Sequence, residues 1–245
     1  IIPLLSIVIT YGISKLWQRF FQVAPTHHGS FSTMFTFSNT IFIGLPINLA
    51  IFGEKAVPYV LLYYIVNTSL FWTVGIYEIA RDSPSFEEAK VSFHPLVVLK
   101  KIFSPALIGF IIGLIWMLFD FPLPKFIAGL GGYLSELTTP LSMFIIGIIV
   151  YYSGIKNLRM TKDLAGVLAG RFLLSPLIVW LIGQWIQVPS LMLQVFIIQA
   201  SMPVQNSVPI LVRNYHGDEE FAASSLGYSV LIYMIYIPLL LMVLL

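Results

Sequence analysis

A chain of 245 residues that is 58% apolar and only 10% charged lies far from a soluble globular domain, where about 45–50% and about 25% are usual. A mean hydropathy of +0.91 points the same way, and the absence of cysteine excludes disulfides, thiol nucleophiles and thiolate metal sites. The net charge of +2 says little as a total, whereas the placement of the charges is informative.

Apolar stretches of about 20 residues, each able to cross ~30 Å of hydrocarbon as a helix, recur along the chain and define an all-α polytopic membrane protein. The pattern predicts eight spans, at about 1–17, 31–53, 57–80, 102–119, 130–153, 163–186, 190–213 and 221–245. Connections are short except 18–30 and 81–101, and the second of these reads as a solvated loop. The sides following spans one, three, five and seven hold Lys15, Arg19, Arg81, Lys90, Lys100, Lys101, Lys156, Arg159, Lys162 and Arg213, with Arg171 just inside span six. The opposite side has Lys55 and Lys125. Eleven against two predicts that the richer side is cytoplasmic and that both chain ends, the C-terminus included, face away from it. A plasma (inner) membrane of bacterial type is the expected location.

Span two carries Ser38, Asn39 and Thr40 followed by Gly44 and Pro46, and span seven carries Gln199, Ser201, Pro203, Gln205, Asn206, Ser207 and Pro209. A helix that only anchors a chain has no use for these residues. Proline removes a backbone donor and collides with the carbonyl four residues earlier, so Pro46, Pro203 and Pro209, with Gly44, are expected to interrupt their helices. Backbone groups freed in hydrocarbon must be satisfied by protein, water or solute. The polar side chains beside the breaks, Ser38, Asn39, Thr40, Gln199, Ser201, Gln205, Asn206 and Ser207, are therefore the candidate substrate-binding residues.

The two stretches also match each other. The segment 201–210 aligns without gaps on 38–47, which sets Ser38 on Ser201, Gly44 on Ser207 and Pro46 on Pro209. Copies on spans two and seven run through the membrane in opposite directions, as in the inverted repeats of many secondary transporters. Two spans precede the trio 163–186, 190–213 and 221–245, whereas none precedes the trio 1–17, 31–53 and 57–80. A five-plus-five protein whose first two helices lie upstream of Ile1 is the expectation. Half-helices starting near Pro46 and Pro209 would aim partial positive charge at the breaks. The result would be a small polar site that favours an anion without a fixed cationic residue.

Other residues carry weaker signals. Arg171 in span six either counters a substrate carboxylate or reaches back to the cytoplasmic interface. Glu136, beside Thr138, Thr139 and Pro140, is the acidic candidate for proton or cation coupling, or else an interfacial carboxylate. Glu78 and Arg81 read as a surface pair one turn apart. Asn67, Thr68 and Ser69 either support the neighbouring break or hydrogen-bond between helices. His27 and His28 have no third ligand nearby in the sequence, so no metal is expected, nor any cofactor. A phosphate-binding glycine loop, a catalytic triad and an HExxH motif are all absent from the sequence, and an enzyme is not expected.

With these residues in place, the sequence resembles the auxin efflux carrier family of membrane transporters in its compact microbial form. The resemblance rests on "FSNTIFIGLP" and "FGEKAV" between Phe37 and Val57, "SPALIGFIIGL" from Ser104, "TTPLSMFIIG" from Thr138, "RFLLSPL" from Arg171 and "QASMPVQNSVPIL" from Gln199. It implies the ten-helix fold of bile-acid symporters and sodium/proton antiporters, in which helices four and nine are broken and cross at the substrate site. On that template 1–80 would be helices three to five, 81–101 the cytoplasmic connection, 102–153 helices six and seven of the scaffold, and 154–245 helices eight to ten. It further implies secondary transport of small organic anions by alternating access, auxin-like acids in plants and malate or malonate in bacterial relatives. The connection at 81–101 lacks the long hydrophilic insertion of many plant carriers, which turns the expectation away from phytohormones. The expected partners are a small organic anion and the lipid bilayer, with a homodimer as a candidate assembly and no nucleic acid. A sodium-coupled symporter of the bile-acid type and a non-transporting membrane sensor for a lipid or metabolite are the alternatives.

Overall fold

The computed structural model describes residues 1–83, 108–109, 112–113, 115–116, 119, 122–137, 140–141, 144, 148 and 160–244. Among these, the chain is helical apart from short connections and one isolated β-bridge. Helix α1 (Ile2–Phe21) leads through a 3-10 turn at Pro25–His27 into α2 (His28–Thr36), followed by α3 (Gly44–Phe52) and α4 (Val57–Leu70). A π turn at Phe71–Gly75 joins α4 to α5 (Ile76–Arg81). After α6 (Lys125–Glu136) come α7 (Lys162–Ala169), a second π turn at Gly170–Leu174, α8 (Ser175–Trp185), α9 (Ser190–Ala200), α10 (Val208–Asn214) and α11 (Glu219–Leu244). The helical stretches Gly44–Arg81, Lys162–Trp185 and Glu219–Leu244 are long and apolar enough to cross a bilayer. The expected spans at 102–119 and 130–153 fall largely outside the described residues, as does most of the connection at 81–101.

Local sequence accounts for the irregularities. Pro46 is the third residue of α3 and Pro209 the second of α10, positions whose N–H would have no intrahelical acceptor in any case. Their rings exclude the carbonyls of Phe42 and Gln205 from helical geometry, so neither helix extends further back. These prolines start the second halves of the broken helices, and of the expected breakers only Pro203 lies inside a break. Pro176 acts similarly in α8. It cannot donate to Phe172, and the chain widens just before it into the π turn that carries Arg171. Gly53 ends α3 at φ 68° and ψ −162°, a conformation essentially restricted to glycine.

Packing centres on α2, which is buried on all sides from Gly29 to Thr36. Helices α1, α5 and α7 pack against it, and α8 packs against both α1 and α9. Phe31, Phe35, Phe37, Phe71 and Phe196 are fully buried in the same core. Lipid tails are as apolar as these side chains, so close fit and hydrogen bonds, more than expulsion of apolar surface, hold such helices together. Gly29 supplies the close fit between α2 and α5, since an added Cβ would overlap the Glu78 carbonyl. Asp82, just beyond α5, then caps the start of α2 by accepting from the N–H groups of Gly29 (2.6 Å) and Ser30 (2.7 Å). Burial pushes the Asp82 carboxyl above its ordinary value, against these two bonds.

His27 links three elements near the same end of α2. Its Nδ1 lies 2.9 Å from Asp163 Oδ2, its Nε2 lies 3.1 Å from Asp218 Oδ2, and its ring stacks on Phe221. Asp218 also caps α11, accepting from the Phe221 N–H at 2.9 Å. Burial opposes ionisation of Asp218, but the Phe221 N–H, the His27 ring and the Glu220 N–H outweigh it and hold the carboxyl below its ordinary value of 3.8. A carboxyl depressed in the folded state stabilises above its unfolded value and loses that contribution as pH falls through the folded one. In detergent melts, wild type should therefore outlast Asp218→Asn near neutral pH, and the gap should close as pH drops below about 4. A gap of constant size down to the acid end would contradict this linkage.

Candidate functional site

Residues 37–43 and 201–207 are not helical, and they meet. Ser38 and Val204 form an antiparallel β-bridge, and the Asn39 N–H donates to Pro203 O at 2.9 Å. Asn39 Nδ2 donates to Asn206 Oδ1 at 2.7 Å, while Asn39 Oδ1 accepts from the Phe42 N–H at 3.2 Å. One side chain thus joins break to break and turns its own strand toward α3. Gln199 Nε2 reaches Thr40 O at 3.2 Å, and Gly44 leaves room for that amide, since a Cβ there would overlap Gln199 Oε1.

Each bridging residue is braced from the second helix after its break. On α4, Asn67 Oδ1 accepts from the Ser38 N–H at 3.2 Å and Asn67 Nδ2 donates to Ser38 O at 3.0 Å. On α11, Ser229 Oγ accepts from the Val204 N–H at 3.1 Å. Protein groups therefore supply part of what the lost helical ladder would have supplied.

Arg171 holds the other ends. Its side chain is fully buried. Nη1 donates to Thr36 O at 2.6 Å and to Phe35 O at 3.3 Å, Nη2 donates to Ala200 O, and Nε donates to Met202 O at 3.1 Å. Phe35, Thr36 and Ala200 close α2 and α9, where carbonyls have no intrahelical partner. A cation is thus fixed at the crossing, which corrects the expectation of a site without one, and Arg171 does not reach back to the cytoplasmic interface. Its spacing in the sequence gave no hint of this, because the Thr36 and Ala200 carbonyls lie 135 and 29 residues away.

The eight candidate binding residues differ in access. Ser38, Asn39, Thr40, Gln199 and Ser201 are buried, whereas Gln205, Asn206 and Ser207 are partly exposed. The Ser201 hydroxyl donates back to Ile198 O at 2.9 Å, and Ser38 is engaged by Asn67. Glu136 is exposed at the C-terminal end of α6, and the neighbouring Thr138 and Thr139 lie outside the described residues. Sequence reasoning missed a second polar group. Glu78 is buried and accepts from Lys15 Nζ and Tyr11 OH, both at 2.5 Å, while Arg81 stands off at 3.7 Å. The expected surface pair of Glu78 and Arg81 is thus a buried carboxylate held mainly from α1. Lys15, Glu78 and Arg81, with Arg19, His28 and Asp82, border a cavity of about 400 Å³. The available signal was Tyr11 and Lys15 one turn apart on α1.

Apolar helices of bilayer length, with two helical segments that break and exchange hydrogen bonds at a polar crossing, define a membrane transporter as the class of protein. The family model described as "Membrane transport protein", which is that of the auxin efflux carriers, matches residues 1–241, and the chain belongs to this family. It is similar to an uncharacterized transporter of Methanothermobacter thermautotrophicus, 25% identical over 244 residues that cover 98% of this chain and 76% of the relative. It is also similar to an uncharacterized transporter of Methanocaldococcus jannaschii, 25% identical over 215 residues, or 86% of this chain and 67% of the relative. Membership of a transporter family implies a role in transport rather than in catalysis.

Proposed function

We propose that the protein carries small organic anions, mono- or dicarboxylates of the size of malate or malonate, by alternating access around the crossing of 37–43 and 201–207. The observation that carries this reading is the antiparallel contact of Ser38 with Val204, surrounded by amides and hydroxyls that a purely structural kink in hydrocarbon does not need. On this reading the two breaks are equivalent parts of an inverted five-plus-five repeat, and 1–80 and 154–245 move together against a scaffold that includes 102–153. Gln205, Asn206 and Ser207, being partly exposed, meet the solute, and Asn39 orders Asn206 from beneath. Ser38, Thr40, Gln199 and Ser201 keep the broken backbone satisfied. Neither break contains Asp or Glu, which favours an anion over a coupled sodium ion at this place.

Uptake of labelled malate into proteoliposomes tests the reading. Saturable uptake is expected, unchanged when choline replaces sodium, with indole-3-acetate a poorer solute. Thermal stabilisation by carboxylates without any flux would overturn it in favour of a sensor, and strict sodium dependence would overturn the uncoupled anion site.

A further inference from the structure

The guanidinium of Arg171 is fully buried, and among the described residues no ion pair includes it. A buried charge is costly unless something compensates it. Here the compensation comes from the carbonyls of Phe35, Thr36, Ala200 and Met202, at or just beyond the C-terminal ends of α2 and α9. A helix C-terminus is equivalent to about half a negative charge, so the two together amount to roughly one. A single guanidinium cancels them.

The consequence concerns the solute. Where two broken helices cross, their four inner ends are two negative and two positive, so the backbone alone offers a charged solute little net attraction. Once the negative ends are cancelled, the positive start of α3 is left without that opposition. We propose that Arg171 is the residue that determines the charge preference of the crossing, acting through the half-helix ends and without touching the solute. This rests on the carrier reading above and deepens it, by naming the source of anion selectivity. It also explains why a residue on α7–α8, outside both breaks, is buried between them. The attraction of one unit charge at roughly 8 Å and an effective dielectric near 20 corresponds to about 30-fold in affinity per solute charge.

A series of equal size and graded charge separates this role from a structural one. Malonate, its half-amide malonamate and the diamide malonamide carry two, one and no negative charges at neutral pH. Their apparent affinities, read by competition against labelled malonate and by ligand-induced thermal shift, should fall in that order for wild type. Arg171→Gln keeps hydrogen-bond donors but loses the charge. It should lose about 30-fold for each solute charge and leave malonamide unchanged, whereas a general packing defect would weaken all three together. Arg171→Lys keeps the charge without the planar fork, so it should melt earlier yet preserve the ranking. An Arg171→Gln protein with the wild-type ranking, or a folded Arg171→Lys protein that has lost it, overturns the proposal. If Arg171→Gln does not fold, the ranking in Arg171→Lys decides alone. A wild-type protein indifferent to charge across the series overturns the anion-carrier reading itself.

Discussion

Replacing Asn67 by leucine is expected to loosen the crossing more than any change in the solute-facing side chains. Leucine matches the shape of asparagine closely, so the fully buried position on α4 stays filled. The Ser38 N–H nevertheless loses its partner, and the Ser38 C=O loses one of its two donors, keeping the Thr40 N–H at 3.0 Å. An orphaned buried N–H costs about 1–3 kcal/mol and a lost second bond to a carbonyl about 1 kcal/mol, so the change amounts to roughly 3 kcal/mol. For a chain of this size that lowers Tm by about 10 °C. Ser229→Ala removes the acceptor for the Val204 N–H and the hydroxyl bond to Leu226 O, a carbonyl inside α11, and should cost about half as much. Ser69→Ala, on the same helix as Asn67, serves as the control. Melting curves in detergent should rank Asn67→Leu below Ser229→Ala, and Ser229→Ala below Ser69→Ala. If Asn67→Leu melts with the control, the bracing of Ser38 from α4 contributes nothing.

The sequence announces where the helices fail and is silent about what repairs them. Pro46, Pro209 and the polar runs beside them are local signals with local causes, so the breaks at 37–43 and 201–207 were legible to within a few residues. Even so, the prolines mark where helix resumes, because a ring in the first turn forbids the preceding turn but not its own. The span over 31–53, expected to break, consists of two half-helices. The first of them, α2, is enclosed on every side although Ser30, Ser32, Thr33 and Thr36 give it a polar look. The Ser32 and Thr33 hydroxyls and the first backbone N–H groups are answered by Gln18, Gly75 and Asp82, partners on other elements that no periodicity encodes. Arg171 and Asn67 were visible as polar residues in apolar spans. Their partners depend on which face of a helix looks inward at the crossing. That depends on three-dimensional packing between segments far apart in the chain, so neither role could be assigned from position.

Asn39→Asp is the change expected to affect transport most while sparing the fold. The aspartate keeps an oxygen for the Phe42 N–H that Asn39 now serves. Asn206 needs only to rotate its amide to replace the 2.7 Å bond it now accepts with one it donates. Thermal stability should therefore stay within a few degrees of wild type, far from the deficit of Asn67→Leu. Charge is what changes. A negative carboxylate about 5 Å from a solute carboxylate, at an effective dielectric near 20, raises its binding free energy by about 3 kcal/mol, or roughly 100-fold in KM. Uptake of malate should fall accordingly, while competition by uncharged malonamide should be little altered. Asn39→Ala makes the comparison sharper. It removes the tie to Asn206 without adding charge, so it should weaken charged and neutral solutes alike. A folded Asn39→Asp protein that takes up malate with the wild-type KM would mean that the anion does not pass beside Asn206. The bonded crossing of the two breaks would then be a structural joint, and the solute path would have to lie elsewhere in the molecule.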